Sequence, residues 1–265
     1  MIAAELLILR KRAATWILLA VWTLLGIFFS YVIPYALDPE SDDVTPFLPH
    51  ALTGTLLEGF PFFGGVFALM LGVFALGSEY TFGTLKTVFT QGPSRTRVLA
   101  AKLAALGLAL IPFVLCLFVA GLIASLVIAG IEGEPATLPS LWLVTRALAA
   151  GWLMLAVWAA LGVLLGVLTR GTSIAIGLGI LYALLVEGLL SNIDAFEPIA
   201  GVFLRSNGYS LARALGAAAD SISANGPGAF GGPFVSAGQA AVVLAGFSLA
   251  FLAVARTLLV RRDIT

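Results

Sequence analysis

A polar segment at residues 77–103 contains the side chains whose types and spacing could support binding or chemistry. It separates two long apolar runs and contains five charged residues. These five are Glu79, Lys86, Arg95, Arg97 and Lys102. Between them, Phe82, Leu85 and Phe89 are spaced so that a helix would place them on one face. An apolar face flanked by cations fits either a protein partner or a lipid surface, and these residues alone do not distinguish the two.

Glycine, proline and one acidic residue predict the limits of this short helix. Gly92 and Pro93 should end it, because proline cannot continue a helix, and the Ser94 hydroxyl could then cap the next helix. Glu79 is predicted at its start, where a negative charge suits the helix dipole. Gly83 is predicted to permit a bend or a close approach. The cations predicted to contact the inner membrane surface are Lys86, Arg95 and Lys102.

The residue combinations that several common catalytic chemistries require are missing from the sequence. His50 is the only histidine and falls in a predicted loop, where it is expected to be solvated. Cys116 is the only cysteine, so neither an intrachain disulfide nor a cysteine–histidine metal cluster can form. No G-x-x-x-x-G-K-[ST] pattern occurs, so the chain has no P-loop for nucleotide. With no paired aspartates in apolar runs either, the sequence argues against an intramembrane protease and against an ATPase.

The elements that must position the polar segment are apolar helices. The chain has 265 residues, of which 60% are apolar and 11% charged, whereas soluble domains carry roughly 25% charged residues. Several runs exceed the roughly 20 residues needed to cross the hydrocarbon core. The sequence therefore predicts an all-α polytopic membrane protein that forms a single transmembrane domain over residues 1–265. The six predicted spans are 15–35, 59–78, 99–129, 141–168, 172–190 and 238–258.

The distribution of lysine and arginine orients these spans. With a cytoplasmic N-terminus, 11 of the 14 Lys and Arg residues lie inside, as the positive-inside rule requires. Both termini and residues 79–97 are then cytoplasmic, and residues 191–237 form a long external loop between spans five and six. That loop is predicted to contain a helix at 210–222 and an irregular Gly/Pro-rich part at 223–234.

Residues 1–14 are predicted to form an interfacial helix on the inner membrane surface. Ile2, Leu6 and Leu9 recur at helical spacing, whereas Glu5 and Arg12 lie on another face. Such a helix would bury its apolar face and direct its basic side toward headgroups. The alternative is a simple cytoplasmic extension of the first span.

Three ionisable residues are predicted near the outer ends of spans, namely Glu58, Arg146 and Glu187. We expect them to extend to the outer interface. Ion-coupled carriers usually keep ionisable groups near the membrane midplane, so this placement argues against a proton- or sodium-driven carrier.

Gly162 and Gly166 form a G-x-x-x-G pattern in the fourth span. Such a surface lets helices approach closely. It fits packing inside one chain as well as dimerisation.

The polar segment resembles the cytoplasmic loop of the membrane subunits of ABC-2 type exporters. The similarity lies in residues 79–85, which read as an acid, a spacer and Gly-Thr-Leu, then in residues 93–95 and in Lys102 before the third span. This chain has Gly92 where the family usually has proline, and Ala101 where it usually has glycine. The six-span layout, basic N-terminal helix and long external loop are also similar to that family.

The resemblance implies that residues 79–97 contain a coupling helix that docks on a separate ABC ATPase, the nucleotide-binding subunit. The implied ATPase-coupling residues are Glu79, Tyr80, Phe82, Gly83, Thr84, Leu85, Phe89 and Arg95. ATP and Mg would be bound by that partner, and this chain would hold no cofactor or metal. The implied assembly contains a second copy of this permease, or a related permease, in the plasma (inner) membrane of a prokaryote.

Spans two and five would line the substrate pathway in such an exporter. The residues expected to contact cargo are Phe63, Phe67, Phe74, Ile180 and Tyr182. Their apolar character favours an amphipathic or lipidic cargo, although aromatic stripes also serve helix packing. Membrane lipid is a further expected partner, and a formal net charge of zero gives no indication of nucleic acid.

The leading functional hypothesis is the permease subunit of an ABC exporter. Two other classes stay open, an ion-coupled secondary carrier and a membrane enzyme that processes lipid. The carrier lacks midplane charge, and the enzyme lacks an acid/base constellation.

Overall fold

The computed structural model describes residues 1–37, 44–90, 94–189, 201–217 and 234–261. Within these ranges the chain is helical and contains no β-strand. The all-α polytopic architecture is thereby confirmed. The predicted irregular part at 223–234 lies outside the described residues, apart from Phe234.

We number ten helices within these ranges. They are α1 Ile2–Lys11, α2 Ala13–Leu37, α3 Leu52–Leu57, α4 Phe60–Thr81, α5 Thr84–Thr90, α6 Arg95–Glu132, α7 Leu141–Thr169, α8 Ser173–Leu181 with its π-helical continuation Tyr182–Leu189, α9 Leu204–Arg213 and α10 Ala237–Arg261. Helices α2 and α4 each include one π-helical turn, at Phe28–Val32 and Phe60–Gly64.

Five helices in the described part of the chain are long and apolar enough to cross a membrane, namely α2, α4, α6, α7 and α10. They correspond to predicted spans one, two, three, four and six. Helix α8 corresponds to predicted span five and is apolar, but it is shorter than the other five. The count of six spans therefore stays a prediction.

Helices α4 and α7 form the closest pair in the bundle. A methyl group at Gly72 would lie 2.0 Å from the carbonyl oxygen of Ala159, and one at Gly162 would lie 2.1 Å from that of Leu69. Only hydrogen on these α-carbons permits so close a backbone approach. The G-x-x-x-G pattern of α7 therefore serves packing inside the chain, at least through Gly162.

Aromatic side chains join α2 to this pair. Trp22 is 1% exposed, and its indole N–H donates to the carbonyl oxygen of Phe113 in α6 at 3.0 Å. Its ring meets Phe60 of α4 edge-on, with 5.3 Å between the ring centroids. A buried indole N–H needs such an acceptor, so Trp22 fixes α2 against both α4 and α6.

The N-terminal segment is a helix distinct from the first span. Helix α1 ends at Lys11, and Arg12 has an extended backbone (φ −80°, ψ 118°) before α2 begins at Ala13. Helix α1 packs against α6. A position of α1 on the membrane surface stays a prediction.

The segment after α8 contains a helix that is folded into the protein. Helix α9 runs over Leu204–Arg213, earlier than the predicted 210–222, and its residues up to Ala212 are buried. It packs against α7, α10 and the first turn of α4. The predicted helix overlaps α9 at residues 210–213, residues 214–216 form a turn, and residues 218–222 of the prediction lie outside the described residues.

Glu187 holds the N-terminus of α9, and the prediction that its side chain extends to the outer interface is wrong. Its side chain is 0% exposed and accepts the backbone N–H groups of Leu204 at 2.8 Å and Arg205 at 2.7 Å. The hydroxyl of Tyr182 donates to the same carboxylate at 2.6 Å. A helix N-terminus offers unpaired N–H groups and positive potential, which replace the water that an interfacial position would supply. Arg146, by contrast, is exposed.

Candidate functional site

A sharp turn at residues 82–83 separates the second span from the predicted coupling segment. Helix α4 ends at Thr81, and Phe82 caps it with φ −93° and ψ 0°. Gly83 follows with φ +66°, a left-handed conformation that glycine adopts without the steric penalty of a side chain. The bend predicted at Gly83 is thus present. Helix α5 starts at Thr84, with an exposed side chain, and ends at Thr90.

The turn corrects the prediction that Phe82, Leu85 and Phe89 share one helical face. Phe82 lies before Gly83 and belongs to the end of α4, whereas the other two belong to α5. The spacing i, i+3 and i+7 gives a common face only along an uninterrupted helix, and the left-handed glycine interrupts it. Phe82 is 75% exposed, and Phe89 is half-buried. The side chains of Leu85 and Lys86 lie outside the described part of the structure.

Glu79 does not lie at the start of the coupling helix, as predicted, but in the last turn of α4. The negative end of the helix dipole disfavours a carboxylate there. Its compensation is the ammonium group of Lys102, which lies 2.5 Å from Glu79 Oε1. Tyr80 is half-buried beside it, and its carbonyl oxygen accepts the N–H of Gly83.

Lys102 was predicted to contact the inner membrane surface, and this is wrong. The residue is 4% exposed and lies in the second turn of α6. Its ammonium group also donates to Glu5 Oε2 of α1 at 2.7 Å. A buried ammonium needs paired acceptors, and these two carboxylates supply them. Lys102 therefore joins α1, α4 and α6 at one point, and we call Glu5, Glu79 and Lys102 the ionic triad.

Arg12 makes a second polar contact beside the ionic triad. Its guanidinium donates to the carbonyl oxygen of Phe74 at 2.9 Å and to the hydroxyl of Ser78 at 2.8 Å. It also lies 5.6 Å from the centroid of the Phe74 ring. Arg12 and the ionic triad border a cavity of about 300 Å³ that extends to Phe82. The base of the coupling segment is therefore a polar, partly open site.

Arg95 connects the other end of the segment to the last span. It is in the first turn of α6, and its Nη1 donates to the carbonyl oxygens of Leu259 at 3.1 Å and Val260 at 3.2 Å. These carbonyls belong to the last turn of α10, where a cation suits the helix dipole. The guanidinium also lies 5.7 Å from the Phe89 ring centroid. Arg95 thus contacts both α5 and α10 rather than the membrane surface alone.

Residues 1–186 are similar to a known protein family. A family model described as an ABC-2 family transporter protein matches residues 1–186. The chain belongs to the ABC-2 transporter family. The matched residues include α1, the coupling segment, the ionic triad and α8 as far as residue 186. No curated protein matches the chain.

Family membership makes this chain a multi-pass membrane protein of an ABC transporter. Membrane subunits of the ABC-2 family are typically non-catalytic and work with a separate ABC ATPase. Among the described residues, no group of three or more His, Cys, Asp or Glu side chains is placed to hold a metal ion. The absence of a cofactor from this chain stays a prediction.

The predicted pathway residues of this ABC-2 chain have partners within the chain. The Phe63 ring stacks on Phe29 at 5.4 Å, and Phe67 lies 6.0 Å from Trp22. Phe74 is covered by Arg12, Tyr182 donates to Glu187, and Ile180 is half-buried. These contacts account for the aromatic residues as packing. Their exposure to cargo stays a prediction.

Sequence reasoning missed Glu5 and Arg12 as members of this site. The available signal was the scarcity of acids on the predicted inner side, where only Glu5, Glu79 and Asp263 are found. Two of these three bind Lys102. Because acids are rare on that side, each of them is a notable potential partner for a cation that begins an apolar run. Lys102 was therefore a candidate for an ion pair rather than for lipid contact.

Proposed function

We propose that this chain is the permease subunit of an ABC exporter, coupled through residues 79–97 to a separate ATPase subunit. Two copies form the substrate pathway between them, and ATP and Mg are bound by the partner. The conformation of the bound ATPase changes with its nucleotide state. The coupling segment transmits that change to the spans. The cargo class favoured by the apolar residues of spans two and five is amphipathic or lipidic.

The observation that carries this proposal is the combination of an exposed aromatic side chain with a firmly held base. Phe82 is 75% exposed at the turn, which leaves its ring available as a hydrophobic anchor for a partner. At one end of the segment, Lys102 joins Glu79 to α1, and at the other end Arg95 binds the last turn of α10. A helix that only rested on lipid would not need these buried and charge-assisted contacts.

Copurification tests this proposal. We expect an affinity-tagged chain, extracted in mild detergent from its native cells, to bring with it an ATPase that has no membrane spans of its own. The mass of the complex should correspond to two permeases and two ATPases, and the complex should hydrolyse ATP. A complex that contains no ATPase would contradict the proposal and leave the ion-coupled carrier as the alternative. One with two different permeases would contradict the homodimer only.

The proposed orientation places the coupling segment in the cytoplasm and residues 133–140 outside. In a Cys116→Ala background, we expect Thr137→Cys to react with a membrane-impermeant maleimide in intact cells. Thr84→Cys should react only after the membrane is permeabilised. Both side chains are exposed, so reactivity reports the side of the membrane rather than burial. Labelling of Thr84→Cys in intact cells would reverse the orientation and remove the basis for ATPase docking.

A further inference from the structure

The ionic triad connects the two ends of the coupling segment across its base. Glu79 lies three residues before the turn at Phe82, and Lys102 lies in α6 just after the segment. Lys102 Nζ lies 2.5 Å from Glu79 Oε1, and this ion pair joins the two ends of the loop that the segment forms. A movement of the segment is therefore passed to α4 and α6 together.

The third member of the triad belongs to a different part of the chain. Glu5 lies in the first turn of α1 and contacts Lys102 at 2.7 Å, across 97 residues of sequence. The ammonium group is almost inaccessible to water, with its side chain 3% exposed, whereas the two carboxylates are 17% and 16% exposed. Because one buried cation serves both acids, removing it releases α1 from α6 and leaves two carboxylates facing one another.

The cavity beside the triad leaves room for these groups to rearrange. About 300 Å³ of space lies between α1, the end of α4 and the start of α6, bordered by Arg12 as well as by the triad. Glu79 Oε2 has no hydrogen-bond partner among the described residues. A tightly packed core would resist such movement. The site therefore combines two short ion pairs with enough space for the side chains to change position.

We infer that Lys102 is a positioning residue that makes α1, α4 and α6 respond as one unit when the coupling segment moves. This rests on the proposed coupling to an ATPase. The N-terminal helix then has a role beyond membrane attachment, since it follows the nucleotide-driven movement through Glu5. Without Lys102, the segment still binds the ATPase, but its movement no longer reaches α1.

The test measures the responses of the segment and of α1 separately. In a Cys116→Ala background, single cysteines replace Thr84 on the segment or Ile8 on α1, both of which are exposed. The purified complex with its ATPase is placed in lipid nanodiscs, and the rate of reaction with a soluble maleimide is measured without nucleotide and with ATP, Mg and vanadate. With native Lys102, we expect both rates to change on trapping.

With Lys102→Met, the nucleotide-dependent change at Thr84→Cys should persist, and that at Ile8→Cys should shrink about fivefold or more, the lower end of typical coupling between linked sites. Lys102→Arg should restore the response at Ile8→Cys, because it keeps the charge. The triple variant Glu5→Gln, Glu79→Gln, Lys102→Met removes all three charges without leaving any unpaired. It should retain thermal stability but not the response of α1.

The outcomes separate the two proposals. If no ATPase copurifies, the proposed function fails. If the ATPase is bound and Ile8→Cys still responds in both the Lys102→Met and triple variants, the inference about Lys102 is wrong while the function stands. If neither cysteine responds in the chain with native Lys102, the triad does not transmit movement, and the inference fails as well.

Discussion

Replacing Phe82 with alanine is expected to weaken binding of the ATPase about thirtyfold. Loss of an aromatic anchor that becomes buried at an interface costs about 2 kcal/mol or more, and every 1.4 kcal/mol corresponds to about a tenfold change in affinity. The side chain is 75% exposed in the isolated chain, so its removal takes away little packing. The measurement is titration of the purified ATPase onto the permease in nanodiscs, together with the ATPase rate.

The control for this prediction is Trp142→Ala. Trp142 is an aromatic residue of nearly equal exposure, 72%, at the start of α7, which is external in the proposed orientation. It should leave the affinity for the ATPase unchanged. Equal affinities of the Phe82→Ala and unaltered chains would mean that the turn at Phe82 is not part of the docking surface.

Gly162→Ala is expected to destabilise the chain by forcing α4 and α7 apart. The added methyl group would lie 2.1 Å from the carbonyl oxygen of Leu69 and 3.0 Å from the amide nitrogen of Val73. Both atoms belong to the backbone of α4 and cannot rotate away, so the two central helices must separate. Such overpacking costs about 3 kcal/mol, which lowers the thermal unfolding midpoint of a chain of this size by roughly 10 °C. Thermal unfolding in detergent, followed by loss of the monodisperse peak, provides the measurement.

Gly177→Ala is the matched control for Gly162→Ala. It makes the same chemical change in another apolar helix, α8, where an added methyl group would meet nothing within 4 Å. Alanine favours a helix over glycine by about 1 kcal/mol at most, so this variant should be as stable as the unaltered chain or slightly more stable. Similar midpoints for the two variants would show that α4 and α7 do not depend on the close approach at Gly162.

The spans could be predicted from the sequence because their signal is local. A long apolar run such as 99–129 is recognisable from composition alone, and it corresponds to α6, Arg95–Glu132. The coupling segment was recognisable for a similar reason, since its Gly-Thr-Leu and Ser-Arg elements follow one another within a short stretch. The family match over residues 1–186 covers the same region.

The partners of Lys102 could not be predicted in this way. Glu79 and Glu5 are 23 and 97 residues away in sequence, and nothing local states which helix faces meet. The prediction of one apolar helical face from Phe82 to Phe89 was wrong for a local reason. Its spacing was correct, but a single left-handed glycine at Gly83 divided it between two helices, and periodicity does not register such an interruption.

The position of Glu187 has a consequence for how the chain is made. Its two amide donors lie 17 and 18 residues later in the chain, so they are still inside the ribosomal exit tunnel when α8 emerges. An acidic group within a helix that enters lipid costs on the order of 3 kcal/mol, and α8 is also the shortest of the apolar helices that correspond to the predicted spans. During translation, α8 therefore first meets the bilayer without the two backbone donors that compensate the Glu187 carboxylate. The carboxylate gains both donors only when α9 emerges and packs onto α8, so the stable insertion of α8 depends on a helix that follows it in the chain.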